Sequence, residues 1–143
     1  MEINENPLIF KLVLVGDSSV GKSTILAKFL DDKFENNYKT EFFQFCSKII
    51  DFKNKKIKIQ IWKIFSKENF RLISSSYFSG ALGAIIVYDI SKKSSFRYID
   101  DWIRDLKEYG NKNIIINLIG NKSDLNDKRE ISNEEGKNLA KKK

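Results

Sequence analysis

The chain has 143 residues, 41% of them hydrophobic, and carries 26 Lys and Arg against 19 Asp and Glu, a net charge of +7. It has no His and a single Cys, Cys46, so composition excludes disulfide frameworks, zinc sites and histidine-based catalysis. A basic balance invites nucleic acid or an anionic membrane, but no basic block stands outside Lys141 to Lys143 and the base-stacking motifs of RNA binders are missing.

The size suits one domain over residues 1–143 with a genuine core. Met1 to Asn6 is polar and acidic rather than signal-like, and the longest apolar run, around Ala81 to Tyr88, is too short to span a bilayer. A soluble protein in a reducing interior is expected.

Phe10-Lys11-Leu12-Val13-Leu14-Val15 reads as a buried strand. It runs into Gly16-Asp17-Ser18-Ser19-Val20-Gly21-Lys22-Ser23, which fits the phosphate-loop pattern G-x-x-x-x-G-K-[ST] without mismatch. A polyphosphate needs many donors at close range and no intruding Cβ, which Gly16 and Gly21 allow. Their turn lets successive N–H groups converge on the phosphates at the positive end of a helix beginning near Lys22, whose apolar face is Ile25, Leu26, Phe29 and Leu30. Lys22 adds a mobile cation for the outer phosphates, and the Ser23 hydroxyl suits Mg²⁺. An ordinary strand-to-helix turn explains the glycines alone, but not the Lys-Ser pair between this strand and this helix.

Asp31 to Thr40 is polar and loop-like. Phe42 to Phe52 and Lys56 to Trp62 follow as two strands around an Asn54-Lys55 hairpin. In the second, Ile57, Ile59 and Ile61 face one way, and Lys56, Lys58, Gln60 and Trp62 the other. Lys63 to Ser76 breaks the pattern and reads as a mobile loop entering a short helix. Ala84 to Tyr88 is a second buried strand, leading to a helix through Phe96, Ile99, Trp102, Ile103 and Leu106. Ile114 to Ile119 is a third, ending at Gly120-Asn121-Lys122-Ser123-Asp124, and Ser132 with Glu135 forms a capping box for the last helix. Buried strands alternating with helices mean a doubly wound, parallel sheet with a short antiparallel excursion. Ligands on such sheets sit beyond the carboxyl ends of the strands, where both loops lie.

Guanine presents N1–H and N2–H₂ as adjacent donors, and a carboxylate such as Asp124 accepts both; adenine cannot supply that pair. Asn121 can tie this loop to the phosphate loop while the Lys122 stem lies against the base. In an Asn- and Lys-rich chain N-K-x-D alone is a plain turn; after a buried strand, beside a phosphate loop, it reads as guanine recognition.

On these residues the chain resembles the Ras superfamily of small GTPases and, within it, the Rab branch, from about Ile9 to Lys143. The likeness also covers Lys58-Ile59-Gln60-Ile61-Trp62, Asn69-Phe70-Arg71, Tyr77-Phe78-Ser79-Gly80-Ala81, Val87-Tyr88-Asp89-Ile90-Ser91 and Ser95-Phe96. It implies a three-layer phosphate-loop fold with one antiparallel strand, GTP or GDP bound through Gly16 to Thr24, Phe34, Thr40, Asn121, Lys122 and Asp124, and Mg²⁺ held by Ser23 and Thr40. By the same resemblance Phe45, Trp62 and Tyr77 fall where Rabs carry an aromatic triad read by effectors; core packing is an equal reading of all three.

The pattern also breaks. Where Rabs follow the Trp with Asp-Thr-Ala-Gly-Gln-Glu, this chain has Lys63-Ile64-Phe65-Ser66-Lys67-Glu68. The family Asp helps hold the hydrated metal, the Gly donates to the γ-phosphate and the Gln orients the attacking water. Lys63 brings positive charge toward the metal position, either opposing a divalent cation or neutralising phosphate in its place, and Lys67 has no acceptor for a proton from water. One residue is missing between Lys39 and Trp62, and Thr40 is followed by Glu41-Phe42. The sequence stops at Lys141-Lys142-Lys143, before the family's sixth strand, Ser-Ala-Lys loop, last helix and prenylated cysteines, so no lipid anchor lies within it, and the Ile114 strand is expected at a sheet edge.

The reading is a guanine-nucleotide switch recruiting effectors in vesicle-mediated transport, with exchange factors or activating proteins as further partners and hydrolysis slow or lost. Its place is the cytoplasm, peripheral to endomembranes where a longer protein carries a lipidated tail. Two alternatives stand beside it: a binding module that neither switches nor hydrolyses, and a basic nucleic-acid or membrane-surface protein with a vestigial phosphate loop.

Overall fold

The computed structural model describes residues 7–30, 45–64 and 78–142. In chain order these form β1 (Leu8–Val15), α1 (Lys22–Phe29), β2 (Phe45–Phe52), β3 (Lys55–Lys63), β4 (Gly83–Asp89), α2 (Lys93–Arg97), α3 (Ile99–Tyr109), β5 (Ile115–Asn121), a 3-10 turn (Ser123–Lys128) and α4 (Asn133–Lys142). Among the described residues the sheet has five strands in the order β2-β3-β1-β4-β5. Only β2 runs antiparallel to its neighbour; β1 pairs parallel with β3 and β4, and β4 with β5. This is the mostly parallel sheet with flanking helices of the phosphate-loop fold.

Because strand side chains alternate, each strand sends one parity to each face. Val13 and Val15 of β1 join Ala84, Ile86 and Tyr88 of β4 beneath α3, whose Ile99, Trp102, Ile103 and Leu106 recur at helical spacing on its buried side. The other parity, Leu12 and Leu14 with Ile59, Ile61, Ile85 and Val87, packs under Ile25, Leu26 and Phe29 of α1. The sheet therefore has an α1 side and an α3 side, and the carboxyl ends of β1, β3, β4 and β5 open at one edge.

Three expectations shift and one holds. The hairpin turns at Lys53-Asn54 rather than Asn54-Lys55: Phe52 pairs with Lys55, leaving two residues at φ 48° and 63°, the left-handed pair of a two-residue loop. Lys63 is the last residue of β3 rather than part of a loop, because the parallel ladder continues to Leu14 opposite Lys63 and the Ile64 N–H donates to the Leu14 carbonyl at 2.9 Å. The helix after β4 is two helices, broken at Tyr98 (φ −94°, ψ 5°), with Asp100 and Asp101 in the first turn of α3 suiting a new positive helix end. Finally, β5 pairs only with β4 among the described residues, so it is an edge strand, half-buried at best, and Ile115 is 68% exposed.

The capping box of α4 forms as read. The Glu135 N–H donates to Ser132 Oγ at 3.0 Å, and the Ser132 N–H donates back to Glu135 Oε1 at 3.3 Å. Gly136, the residue after Glu135, brings α4 so close to the sheet that a Cβ there would lie 2.6 Å from the Tyr88 hydroxyl. No helix among the described residues is long and apolar enough to cross a membrane.

Candidate functional site

The buried end of β1 delivers the chain to Gly16 at φ 146°, where a Cβ would collide with the Val87 carbonyl oxygen. The loop thus passes flush against the end of β4. Val20 is buried, while Ser18, Ser19 and Thr24 are exposed and Asp17 is half-buried. Gly21, at φ 102°, caps α1 in the left-handed region, and a Cβ there would strike Asn121 Nδ2. Both glycines are required by backbone conformation and by neighbours at once.

Lys22 opens α1 with its side chain buried. Its ammonium donates to the Gly16 carbonyl and, at 2.7 Å, to the Asp17 carbonyl, so it curls back over the loop. Burial, then the nearby Lys63 charge, lowers its pKa to about 8, with Asp17 pulling the other way. Two ammonium groups with so little water around them form a place that favours an anion.

Lys63 arrives by strand parity. As an odd-numbered residue of β3 it follows Ile59 and Ile61 onto the α1 side, where only 3% of it is exposed and Nζ donates to Ser23 Oγ at 2.7 Å. Burial lowers its pKa.

The end of β5 closes the site from the other side. Asn121 Nδ2 donates to the Val20 carbonyl at 2.8 Å. Lys122, left-handed at φ 69°, donates to the Ser19 carbonyl at 2.8 Å and pairs with Asp89 Oδ2 at 2.9 Å. Asp124 follows at the start of the 3-10 turn with its carboxylate exposed. The segment Asn121 to Asp124 is therefore fastened to the loop Gly16 to Ser23 through two side chains.

Asp89 is a residue that reading for chemistry passes over. It is 1% exposed, and its other oxygen accepts the Ser91 N–H at 2.9 Å and the Ser91 hydroxyl at 2.6 Å. Burial pushes its pKa up, but hydrogen bonds from Ser91 and Lys122 and the Lys122 charge outweigh that and hold it below the usual carboxylate range. The available signal was an acid closing the apolar run Ala84 to Tyr88 at the ligand end of the sheet.

Of the aromatic triad, Phe45 and Trp62 meet with ring centroids 4.7 Å apart, on opposed positions of β2 and β3, and Lys11 Nζ lies 5.3 Å from the Trp62 ring. Phe45 is exposed and Trp62 half-buried. Phe34, Thr40, Ser66, Lys67 and Tyr77 lie outside the described residues.

Mg²⁺ does not fit the residues in view. The hydroxyl that would ligate it, Ser23 Oγ, instead receives the Lys63 ammonium at 2.7 Å, and the other expected ligand, Thr40, lies outside the described residues.

Comparison with known proteins agrees along the chain. The model of the Ras family matches residues 11–143. The Ras-related protein RABA5a of Arabidopsis thaliana is 46% identical over 133 residues, which cover 92% of this chain and 60% of that protein. The Ras-related protein RGP2 of Oryza sativa subsp. japonica is 43% identical over 97% of this chain and 64% of its own length. The GTP-binding protein ypt3 of Schizosaccharomyces pombe is 44% identical over 96% of this chain and 64% of its own. The chain thus spans 60 to 64% of the length of these curated relatives. A family match over most of the residues, together with relatives this similar, makes the chain a Rab-like member of the Ras family.

Proposed function

We propose that the chain binds guanine nucleotide, GTP or GDP, at the loop Gly16 to Thr24, and that its bound form recruits effectors in vesicle-mediated transport. The observation that carries the reading is the docking of Asn121 and Lys122 onto the carbonyls of Val20 and Ser19. It makes one body of the segment suited to phosphate and the segment suited to the purine. Lys22 and the loop amides meet the phosphates, Asn121 and Lys122 fix the spacing, and Asp124 accepts the paired donors of guanine. Phe34 flanks the base, and the exposed Phe45 beside Trp62 offers effectors an aromatic surface, with Tyr77 as the third member.

Hydrolysis in this reading is slow or lost, because Lys63, Ser66 and Lys67 replace the family Asp, Gly and Gln. Intact small GTPases manage only about 10⁻⁴ s⁻¹ unaided, and this chain should fall below that. The contact between Lys63 and Ser23 favours a second version of the same proposal, a module that binds nucleotide without switching. Membership of a Rab-like family supports a cytoplasmic protein peripheral to endomembranes.

The test is a titration with fluorescent GDP and GTP, with ATP as competitor. The proposal expects saturable binding that unlabelled GDP reverses and ATP does not, and that Lys22→Ala abolishes. Binding that survives Lys22→Ala, or that ATP competes as well as GTP does, would overturn it.

A further inference from the structure

We propose that the Lys63 ammonium stands in for a divalent cation, so that this chain holds the phosphates of its nucleotide without Mg²⁺. The inference rests on the nucleotide-binding reading above and goes beyond it, since that reading is silent on what balances the phosphate charge beside Ser23.

Three observations carry it. The first is position: strand alternation sends Lys63, after Ile59 and Ile61, to the α1 side of the sheet at the carboxyl end of β3, where ligands of such sheets sit. The second is the contact itself, with Nζ 2.7 Å from Ser23 Oγ, so the hydroxyl suited to ligating a metal is already accepting a hydrogen bond from a fixed positive charge. The third is burial. Only 3% of Lys63 is exposed, so water screens its charge poorly, and a second cation entering the same space would meet strong repulsion. An anionic phosphate oxygen entering it would meet attraction.

Lys22 completes the arrangement from the loop side, its ammonium resting on the Gly16 and Asp17 carbonyls. Lys22 adjoins Ser23 in α1, and Lys63 reaches the same residue from β3. Together they supply positive charge from the loop and from β3, which is the task a metal performs between phosphate oxygens when protein carboxylates hold it.

The experiment uses the whole chain and fluorescent GDP, once in excess EDTA and once in millimolar Mg²⁺, for the natural sequence, Lys63→Met and Lys63→Asp. Met keeps the apolar stem of Lys63 in its buried position, and far-ultraviolet circular dichroism checks that each variant folds. The natural chain should bind equally in both buffers, within about threefold, and EDTA should not hasten release of bound nucleotide. Lys63→Met should lose about 10- to 100-fold in EDTA, the range for a hydrogen bond to a charged group. Lys63→Asp should bind weakly in EDTA and recover with Mg²⁺, and its complex with GDP should give a protein-dependent signal from Mn²⁺ in electron paramagnetic resonance that the natural complex lacks.

A natural chain that binds GDP in Mg²⁺ but loses more than about tenfold in EDTA overturns the inference and leaves nucleotide binding intact. Equal affinity of Lys63→Met and the natural chain in EDTA does the same. Failure of the natural chain to bind in either buffer removes the nucleotide-binding reading, and this inference with it.

Discussion

Asn121 Nδ2 donates to the Val20 carbonyl at 2.8 Å and joins two loops 101 residues apart in sequence. Removing the amide leaves that carbonyl without its partner and leaves the Lys122 contact with the Ser19 carbonyl to hold the β5 end to the phosphate loop. Asn121→Ala should lower stability by about 1 to 2 kcal/mol and guanine-nucleotide affinity by about tenfold or more, read by thermal melting and by fluorescent GDP titration. Unchanged affinity in a correctly folded variant would separate the two loops functionally.

The approach of α4 to the sheet supports a two-variant test. Alanine is the better helix former, by about 1 kcal/mol, yet a Cβ at Gly136 would sit 2.6 Å from the Tyr88 hydroxyl and 3.7 Å from the ring carbon bearing it. Gly136→Ala alone should therefore destabilise the protein. In a Tyr88→Phe background, where only the ring carbon remains, the same change should become neutral or stabilising. Gly120→Ala offers a contrast, because its Cβ would lie 2.8 Å from the ring carbon itself, so losing the hydroxyl should not rescue it. Denaturant midpoints of the two glycine variants, each alone and in the Tyr88→Phe background, and of Tyr88→Phe itself decide the matter.

Asp89 gives a dependence on pH. Its folded pKa is held below the usual carboxylate value, so its contribution is fully present above that value and is lost as pH falls through the folded one. Asp89→Asn should destabilise the protein at neutral pH, and the gap between variant and natural chain should close as the pH drops below about 4. A gap of constant size down to acid unfolding would assign the effect to shape rather than charge.

The two tryptophans should report their settings separately. Trp102 is 2% exposed on the buried side of α3, whereas Trp62 is half-buried against Phe45. Acrylamide should quench Trp102→Phe, in which Trp62 is the remaining emitter, more strongly than Trp62→Phe. Adding Phe45→Ala to the first should raise its quenching further. Equal quenching of both single variants would place Trp62 in the core, the competing reading of the aromatic triad.

Much of this arrangement was legible in the residues because the strongest signals were local. The glycines of Gly16 and Gly21 and the apolar run of β1 lie in one stretch, and helical spacing at Ile99, Trp102, Ile103 and Leu106 marks the buried side of α3 unaided. The break at Tyr98 and the turn at Lys53 were less visible, since each depends on backbone pairing a residue or two away. Asp89 was hidden for a different reason. A lone acid after an apolar strand acquires meaning only when Lys122 and Ser91 converge on it, and that convergence is a property of the folded chain.

The period of β3 ties two unlike surfaces to a single register. Trp62 and Lys63 are neighbours on opposite sides of the sheet, so one slip of the strand against Leu14 would exchange them, turning the indole toward α1 and the amine toward Phe45. Loss or gain of one residue inside this strand would thus damage aromatic recognition and phosphate charge balance in the same event, whereas a pair of residues lost or gained would preserve both orientations.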